Sequence, residues 1–294
     1  MNIKELKITN SRGDSIGFGR HFHLIEDFDI SGLKSNVFLT NTTSDGAYFQ
    51  GTKLDTRDFD LLFYIKRDGQ EAWWIEEKRH EMNKVCNPKL NPIRFDFTTE
   101  SGKSYYFNAQ VTTAPNFIKG RENDNKKWLR GVIQFIANDP LIYEAEESKT
   151  DIALWIKNLT FPVSFGEPIA FGYRSPSLIV NVENRGSETT GMIITFKATN
   201  EVVNPKLLNV NTYEELKLNF IMQPLDEIEI STFKGKRYVR LKRNNIVSSI
   251  FGSVDLQSTF LQLHIGDNLF RYDANDGLDY LEVSMKHTNT LIGV

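Results

Sequence analysis

Along most of this chain apolar residues recur at every second position, and that period limits the folds open to it. Leu6 and Ile8 alternate with Glu5, Lys7 and Thr9, and Phe95 and Phe97 with Arg94, Asp96 and Thr98. Leu216, Leu218, Phe220 and Met222 stand against Lys217 and Asn219, and Leu261, Leu263 and Ile265 against Gln262 and His264. Successive strand side chains point to opposite faces, so each such segment has one dry face and one wetted face, as antiparallel sheets do. Turn signals separate the runs: Asp45-Gly46, Asp68-Gly69, Ser101-Gly102, Gly266-Asp267-Asn268 and Asp276-Gly277. The expected fold class is mainly β and antiparallel, in β-sandwich-type domains.

One segment departs from this period. From Glu71 to about Cys86 there is no Gly or Pro, and good helix formers predominate. Ala72, Ile75, Met82 and Val85 fall near one stripe, with Glu76, Glu77, Lys78 and Glu81 mostly elsewhere. Asn87-Pro88 supplies the stop, because the residue before proline is pushed out of the α region. A single amphipathic helix packed on a sheet through Ile75, Met82 and Val85 is expected.

At 294 residues the chain is long for one sandwich and comfortable for two. The run Glu144 to Asp151, EAEESKTD, is polar and charged near the middle of the chain, which suits an exposed connection. This divides the chain into an N-terminal domain, 1–145, and a C-terminal domain, 146–294. The hydrophobic content of 40% is enough to build two cores. A net charge of −3 offers no bulk attraction for nucleic acid or an anionic membrane. No apolar stretch is long enough to span a bilayer, and the N-terminus lacks the apolar core of a signal peptide. The single cysteine, Cys86, cannot form an internal disulfide, in keeping with assembly in a reducing cytoplasm.

Each motif with a chemical reading also has a plainer one. Gly17-Phe18-Gly19 could open a dinucleotide fingerprint, but Phe22 stands where the third glycine belongs, and a turn between strands accounts for the pair. His21 and His23 would share a strand face as two metal ligands could, yet no third ligand has a convincing spacing. Glu77 and His80 form half of a di-iron motif on a chain with one helix; a surface pair explains them. Asp273, Asn275 and Gly277 approach a calcium loop, but the glycine is one position early and Glu282 two positions short of the closing ligand. The most basic tract, Lys234 to Arg243, puts Lys236, Tyr238, Arg240 and Lys242 on one strand face and Val239 and Leu241 on the other. Cations interleaved with an aromatic can hold a nucleic-acid backbone; a solvated sheet face gives the same pattern. No nucleophile elbow, P-loop or zincin motif occurs, so the expectation is no enzyme, no catalytic residue, no cofactor and no metal.

The order of small features carries more than any one of them. Ile8 to Ile16 (ITNSRGDSI), Asp45-Gly46, Arg57 before an apolar strand, Asn87-Pro88 after the helix, and Asp139 to Tyr143 (DPLIY) follow one another in the first half. Asn204-Pro205, Ile230-Ser231-Thr232 with Gly235-Lys236, Gly266-Asp267-Asn268 and Ile292-Gly293-Val294 follow in the second. In this order, over nearly the whole chain, the sequence resembles the distal tail protein family of siphophages and prophages of Gram-positive hosts. The resemblance implies an N-terminal sandwich with one helix that forms a homohexameric ring at the tail tip, and a galectin-like or carbohydrate-module-like C-terminal sandwich that serves as a dock. Implied partners are the chain itself, the tail tube protein, the tail-associated hub protein, the tape-measure protein and receptor-binding or baseplate proteins. DNA would pass through the ring only as cargo, no membrane is involved, and the location would be the virion tail tip after assembly in the host cytoplasm. A possible subunit-interface strand carries bulky residues on both faces: Phe59, Leu61 and Phe63 on one, Leu62 and Tyr64 on the other. The competing reading is a carbohydrate-binding module or adhesin acting on cell-wall glycans through Trp155, Phe161, Phe171 and Tyr173.

Overall fold

The computed structural model describes residues 3–294 apart from 27, 29, 31, 68–69, 121, 125–126, 152–154, 158–171 and 175–178; for 72, 155–157 and 172–174 it describes the backbone alone. The chain divides into two compact units, Met1–Ala145 with Leu291–Val294, and Glu146–Thr290.

Unit 1 runs β1 (Ile3–Thr9), β2 (Ser15–Phe18), β3 (Phe22–Leu24), β4 (Ser35–Asn41), β5 (Ala47–Leu54), β6 (Arg57–Lys66), α1 (Ala72–Val85), β7 (Ile93–Thr99), β8 (Ser104–Phe117), β9 (Trp128–Ala137) and β10 (Ile142–Glu144). Its main sheet has nine strands in the order β25-β10-β8-β7-β1-β2-β3-β6-β9, where β25 is Thr290–Leu291. The long strand β8 also pairs with β9, so the ladder closes on itself. Inside lies an aromatic core. Phe95 sits 4.8 Å from Phe107, 4.9 Å from Phe135, 5.4 Å from Phe59 and 5.7 Å from Phe28. The alternation of Leu6 and Ile8, and of Phe95 and Phe97, gives buried residues on β1 and β7.

The turn from β1 to β2 shows why its residues are what they are. The Asn10 side-chain oxygen accepts from the amides of Arg12 and Asp14, each at 3.0 Å, and so shapes the turn as an Asx motif. Asp14 in turn receives the Lys84 ammonium at 2.5 Å, and Asn10 donates to the Lys84 carbonyl at 3.4 Å, which ties the turn to the end of α1. The helix begins after Glu71 and ends before Cys86. Ile75, Met82 and Val85 are buried in the unit 1 core, each burial being worth about 1.5–3 kcal/mol. Cys86 is buried beside Met82, and burial pushes its thiol up to about 12, which keeps it protonated and inert.

Unit 2 contains β11 (Ser148–Asp151), β12 (Trp155–Lys157), β13 (Gly172–Arg174), β14 (Ile179–Asn184), β15 (Met192–Ala198), β16 (Val202–Val203), β17 (Lys206–Asn209), β18 (Glu215–Lys217), β19 (Ile221–Met222), β20 (Glu227–Ser231), β21 (Tyr238–Arg243), β22 (Ile246–Ser249), β23 (Gly266–Asp273) and β24 (Leu281–His287). A six-stranded sheet, β11-β24-β15-β20-β21-β22, and a four-stranded sheet, β14-β23-β17-β18, enclose one core. Ile194, Phe196, Ile228, Ile230 and Val283 come from the first sheet, and Val182, Leu207, Phe270 and Tyr272 from the second.

Several local expectations are corrected here. Leu216 to Met222 is not one strand: β18 ends at Lys217 and β19 starts at Ile221, although Leu216, Leu218 and Met222 are all buried. Leu261 to Ile265 is not a strand at all. Leu261 and Leu263 are buried and Thr190 bridges to Leu263, while Ile265 is exposed. Alternation reports which side chains face inward, and an irregular extended segment alternates as a strand does. Gly266-Asp267-Asn268 opens β23 instead of forming a loop tip. The Asn268 side chain accepts from the His264 amide and donates to its carbonyl, which fixes the turn just before the strand. Asp68-Gly69 lies outside the described residues.

Candidate functional surfaces

The residues with a chemical reading do not converge. Gly17 is in β2, and the turn after it is closed by the Gly19 amide donating to the Phe22 carbonyl. His21 meets Trp74 edge-on at 5.3 Å, whereas His23 stacks on Tyr64 at 5.0 Å, so each imidazole has its own aromatic neighbour. Glu77 and His80 are exposed on α1. Asp273 caps the amide of Ala274 and pairs with Lys206 at 3.3 Å. Gly277 adopts φ +72°, and a Cβ there would collide with the Glu201 carbonyl, so backbone packing requires this glycine. Among the described residues no group of three or more His, Cys, Asp or Glu could hold a metal ion. None of their helices is long and apolar enough to cross a membrane.

The basic tract lies on β21, with Val239 and Leu241 buried. The Arg240 guanidinium sits 4.1 Å over the Tyr238 ring. Tyr238 donates to Glu229 at 2.6 Å, and burial together with that carboxylate pushes its phenol up to about 12. Arg243 forms a two-point ion pair with the buried Asp226. Burial alone would raise the Asp226 carboxyl, but hydrogen bonds from Arg243 and the Gln223 amide outweigh it and hold the group below its ordinary 3.8. A carboxylate depressed in the folded state adds stability above its unfolded value and loses it as pH falls. Unit 2 should therefore weaken as pH drops below about 4, and Asp226→Asn should flatten that part of the acid slope. Denaturation midpoints across the acid range check this; identical slopes in both proteins would refute it.

The surface that stands out is the hairpin of β4 and β5, which pair only with each other. Val37, Phe38, Leu39, Tyr48 and Phe49 on it are 50–73 % exposed. The residues expected to form an interface strand lie nearby on β6 and split by face. Leu61 and Phe63 are buried and Phe59 packs against the same core, so these three point inward. Leu62 and Tyr64 face the other way, both half-buried, Tyr64 under His23. Of the aromatics expected in a sugar site, Phe161 and Phe171 lie outside the described residues, and the side chains of Trp155 and Tyr173 are likewise not described.

Three separated pieces of the sequence meet at Arg57. It is buried at the start of β6 and donates from Nη2 to the Pro140 carbonyl at 2.9 Å and the Ile292 carbonyl at 2.7 Å. Around it, Asp139 accepts from the Leu141 amide and from the Tyr143 hydroxyl at 2.6 Å. Burial, with that hydrogen bond, raises the Tyr143 phenol well above the usual tyrosine range. Tyr106 stacks on Tyr143 at 5.3 Å, with the Arg94 guanidinium 3.8 Å from the Tyr106 ring centre.

Residues 11–136 match a phage tail protein RIFT-related domain, and residues 185–290 match the siphovirus-type tail component, C-terminal domain. Among solved structures, the Dit (gp 19.1) protein of phage SPP1, described as a paradigm of the hub adsorption apparatus in phages infecting Gram-positive hosts, is similar at 12% identity and a TM-score of 0.69. That match covers 97% of this chain and 98% of that one. A chain of the phage P2 baseplate in its activated conformation with Ca is similar at 8% identity and a TM-score of 0.52, covering 99% of both chains. No curated protein sequence matches the chain. Two β units, each holding a matched tail domain, define a structural component of a phage tail, not an enzyme. The chain belongs to the siphovirus distal tail protein family.

Proposed function

We propose that this chain assembles into a hexameric ring at the tail tip, joining the tail tube to the hub and letting DNA leave through its opening. The observation that carries this reading is that both matched domains occur on one chain, each inside its own compact unit, while the likeness to the SPP1 hub protein runs over nearly the full length of both chains. Residues 1–145 would supply the ring, with Leu62 and Tyr64 among the residues near its subunit contacts. The second unit, Glu146–Thr290, would dock receptor-binding or other baseplate proteins, and the tail tube, hub and tape-measure proteins would be the remaining neighbours. Assembly would take place in the host cytoplasm before the protein joins the virion. A closed ring needs a heterologous interface, in which one patch meets a different patch on the next copy and the rotation closes. Negative-stain images and native mass of the full chain test this. Six-fold rings are the expected result; single chains at every concentration would overturn it.

A further inference from the structure

We infer that unit 2 binds a linear polyol phosphate, a thin phosphodiester chain without bases, along the outer face of β21 and the turn that leads into it. Lys234, Lys236, Arg237, Arg240 and Lys242 are all exposed there. A solvated sheet face accounts for a basic tract in a sequence, but other cations of this unit are held differently. Among the described residues, Lys149, Arg185, Lys197, Lys206, Arg243 and Lys286 each pair with a carboxylate, and none of the five does. Two acids on β20 lie opposite by register, Glu227 to Lys242 and Glu229 to Arg240. Neither carboxylate turns to its cross-strand cation. Glu229 accepts from the Tyr238 hydroxyl at 2.6 Å, and Glu227 pairs with Lys197 at 3.6 Å. Positive charge is left in excess at this surface, and such an excess concentrates anions from solution.

Width and aromatic neighbours select among anions. On the sheet the cation row is one strand wide, about 5 Å, with the β20 acids on one side and Val247 and Ser249 of β22 on the other. A nucleic-acid duplex, whose major groove alone spans about 12 Å, would set further phosphates against those acids. Single-stranded nucleic acid binds by stacking its bases on aromatic rings, and here the rings are taken. Tyr238 carries Arg240 at 4.1 Å, while Phe260 carries Arg237 at 5.0 Å and stacks on Phe251 at 5.7 Å. An acidic peptide laid across a sheet face would leave its backbone amides without acceptors. A polyol phosphate brings neither bases nor amides, and its phosphates are what this row recognises. A guanidinium resting on a ring keeps its in-plane donors free to grip a phosphate at two points. Strand residues two apart are about 7 Å apart, so Arg240 and Lys242 hold neighbouring phosphates of one chain. The site does not depend on the ring reading, because a single copy carries all of it.

The test titrates the full chain with a synthetic glycerol phosphate hexamer by calorimetry at several salt concentrations. Hexathymidylate, hexaglutamate and a short DNA duplex are titrated in parallel. The wild type should bind the glycerol phosphate hexamer most tightly, with an affinity that falls as salt rises. Arg240→Gln/Lys242→Gln should weaken that binding at least about tenfold, since charge-assisted contacts are lost. Arg240→Lys, which keeps the charge and loses the fork, should fall between that variant and the wild type. Lys149→Gln/Lys286→Gln, which removes equal charge from paired cations of the same unit, should bind as the wild type does. All four positions lie on the surface, and circular dichroism verifies the fold of each variant. No binding of the hexamer, or equal losses in the two double variants, would overturn the site. Equal or tighter binding of hexathymidylate, hexaglutamate or the duplex would overturn the assignment of its ligand.

Discussion

Phe95→Ala should cost unit 1 about 3–5 kcal/mol, the range for removing a fully buried aromatic from a close-packed core. The ring of Phe95 is completely enclosed, with Phe107, Phe135, Phe59 and Phe28 all within 6 Å of its centroid. These neighbours come from three strands and a loop, so no single element can shift to fill the space, and the cavity term adds to the lost transfer energy. Chemical denaturation followed by tryptophan emission measures it. Trp73, Trp74 and Trp128 lie in unit 1 and only Trp155 in unit 2, so the signal reports mainly on the unit that is changed. A loss below about 1 kcal/mol would fall among ordinary surface-like substitutions and show that the core repacks.

The same cluster shows what periodicity can and cannot convey. Phe95 and Phe97 announce themselves, because a strand with one dry face repeats every two residues. Phe28 does not. It lies between β3 and β4, in no strand, yet stacks 5.7 Å from Phe95 and 6.2 Å from Phe107. Nothing in its neighbourhood of the sequence distinguishes a loop phenylalanine that enters the core from one that stays outside. Tertiary packing alone decides it.

The sequence signals one candidate surface, on β6, and leaves a second, on the hairpin, unmarked. Apolar residues on both faces of a strand are a fair signal that one face meets something other than the domain's own core, and β6 carries that signal. There the inner face, Leu61 and Phe63, is core and the outer face is half-covered. A cluster of exposed apolar residues also stands on β4 and β5, where the Asp45-Gly46 turn is recognisable but what the hairpin meets is not. Gly46 at φ +104° marks the reversal of the chain. Whether a hairpin then lies against its own sheet or stands free is not written in its alternation, which is the same in both cases.

Arg57→Ala should destabilise unit 1 by about 3 kcal/mol, because two hydrogen bonds from a charged group each contribute about 1.5–3 kcal/mol and their loss is only partly recovered. One side chain holds both the Pro140 carbonyl, where the chain is about to leave unit 1, and the Ile292 carbonyl, where it has returned. Its planar guanidinium suits this, since it presents several donors in a fixed fork; a lysine ammonium carries no such fork, so Arg57→Lys should recover little of the loss. If the grip on Ile292 matters as the geometry implies, ending the chain after Leu291 should lower stability as well. The two changes should then be less than additive, because each removes the same contact. Denaturation midpoints of the wild type, Arg57→Ala, the shortened chain and the combination close this cycle. Strict additivity would mean that Arg57 and the C-terminal residues stabilise unit 1 independently, and that the clasp between them contributes nothing.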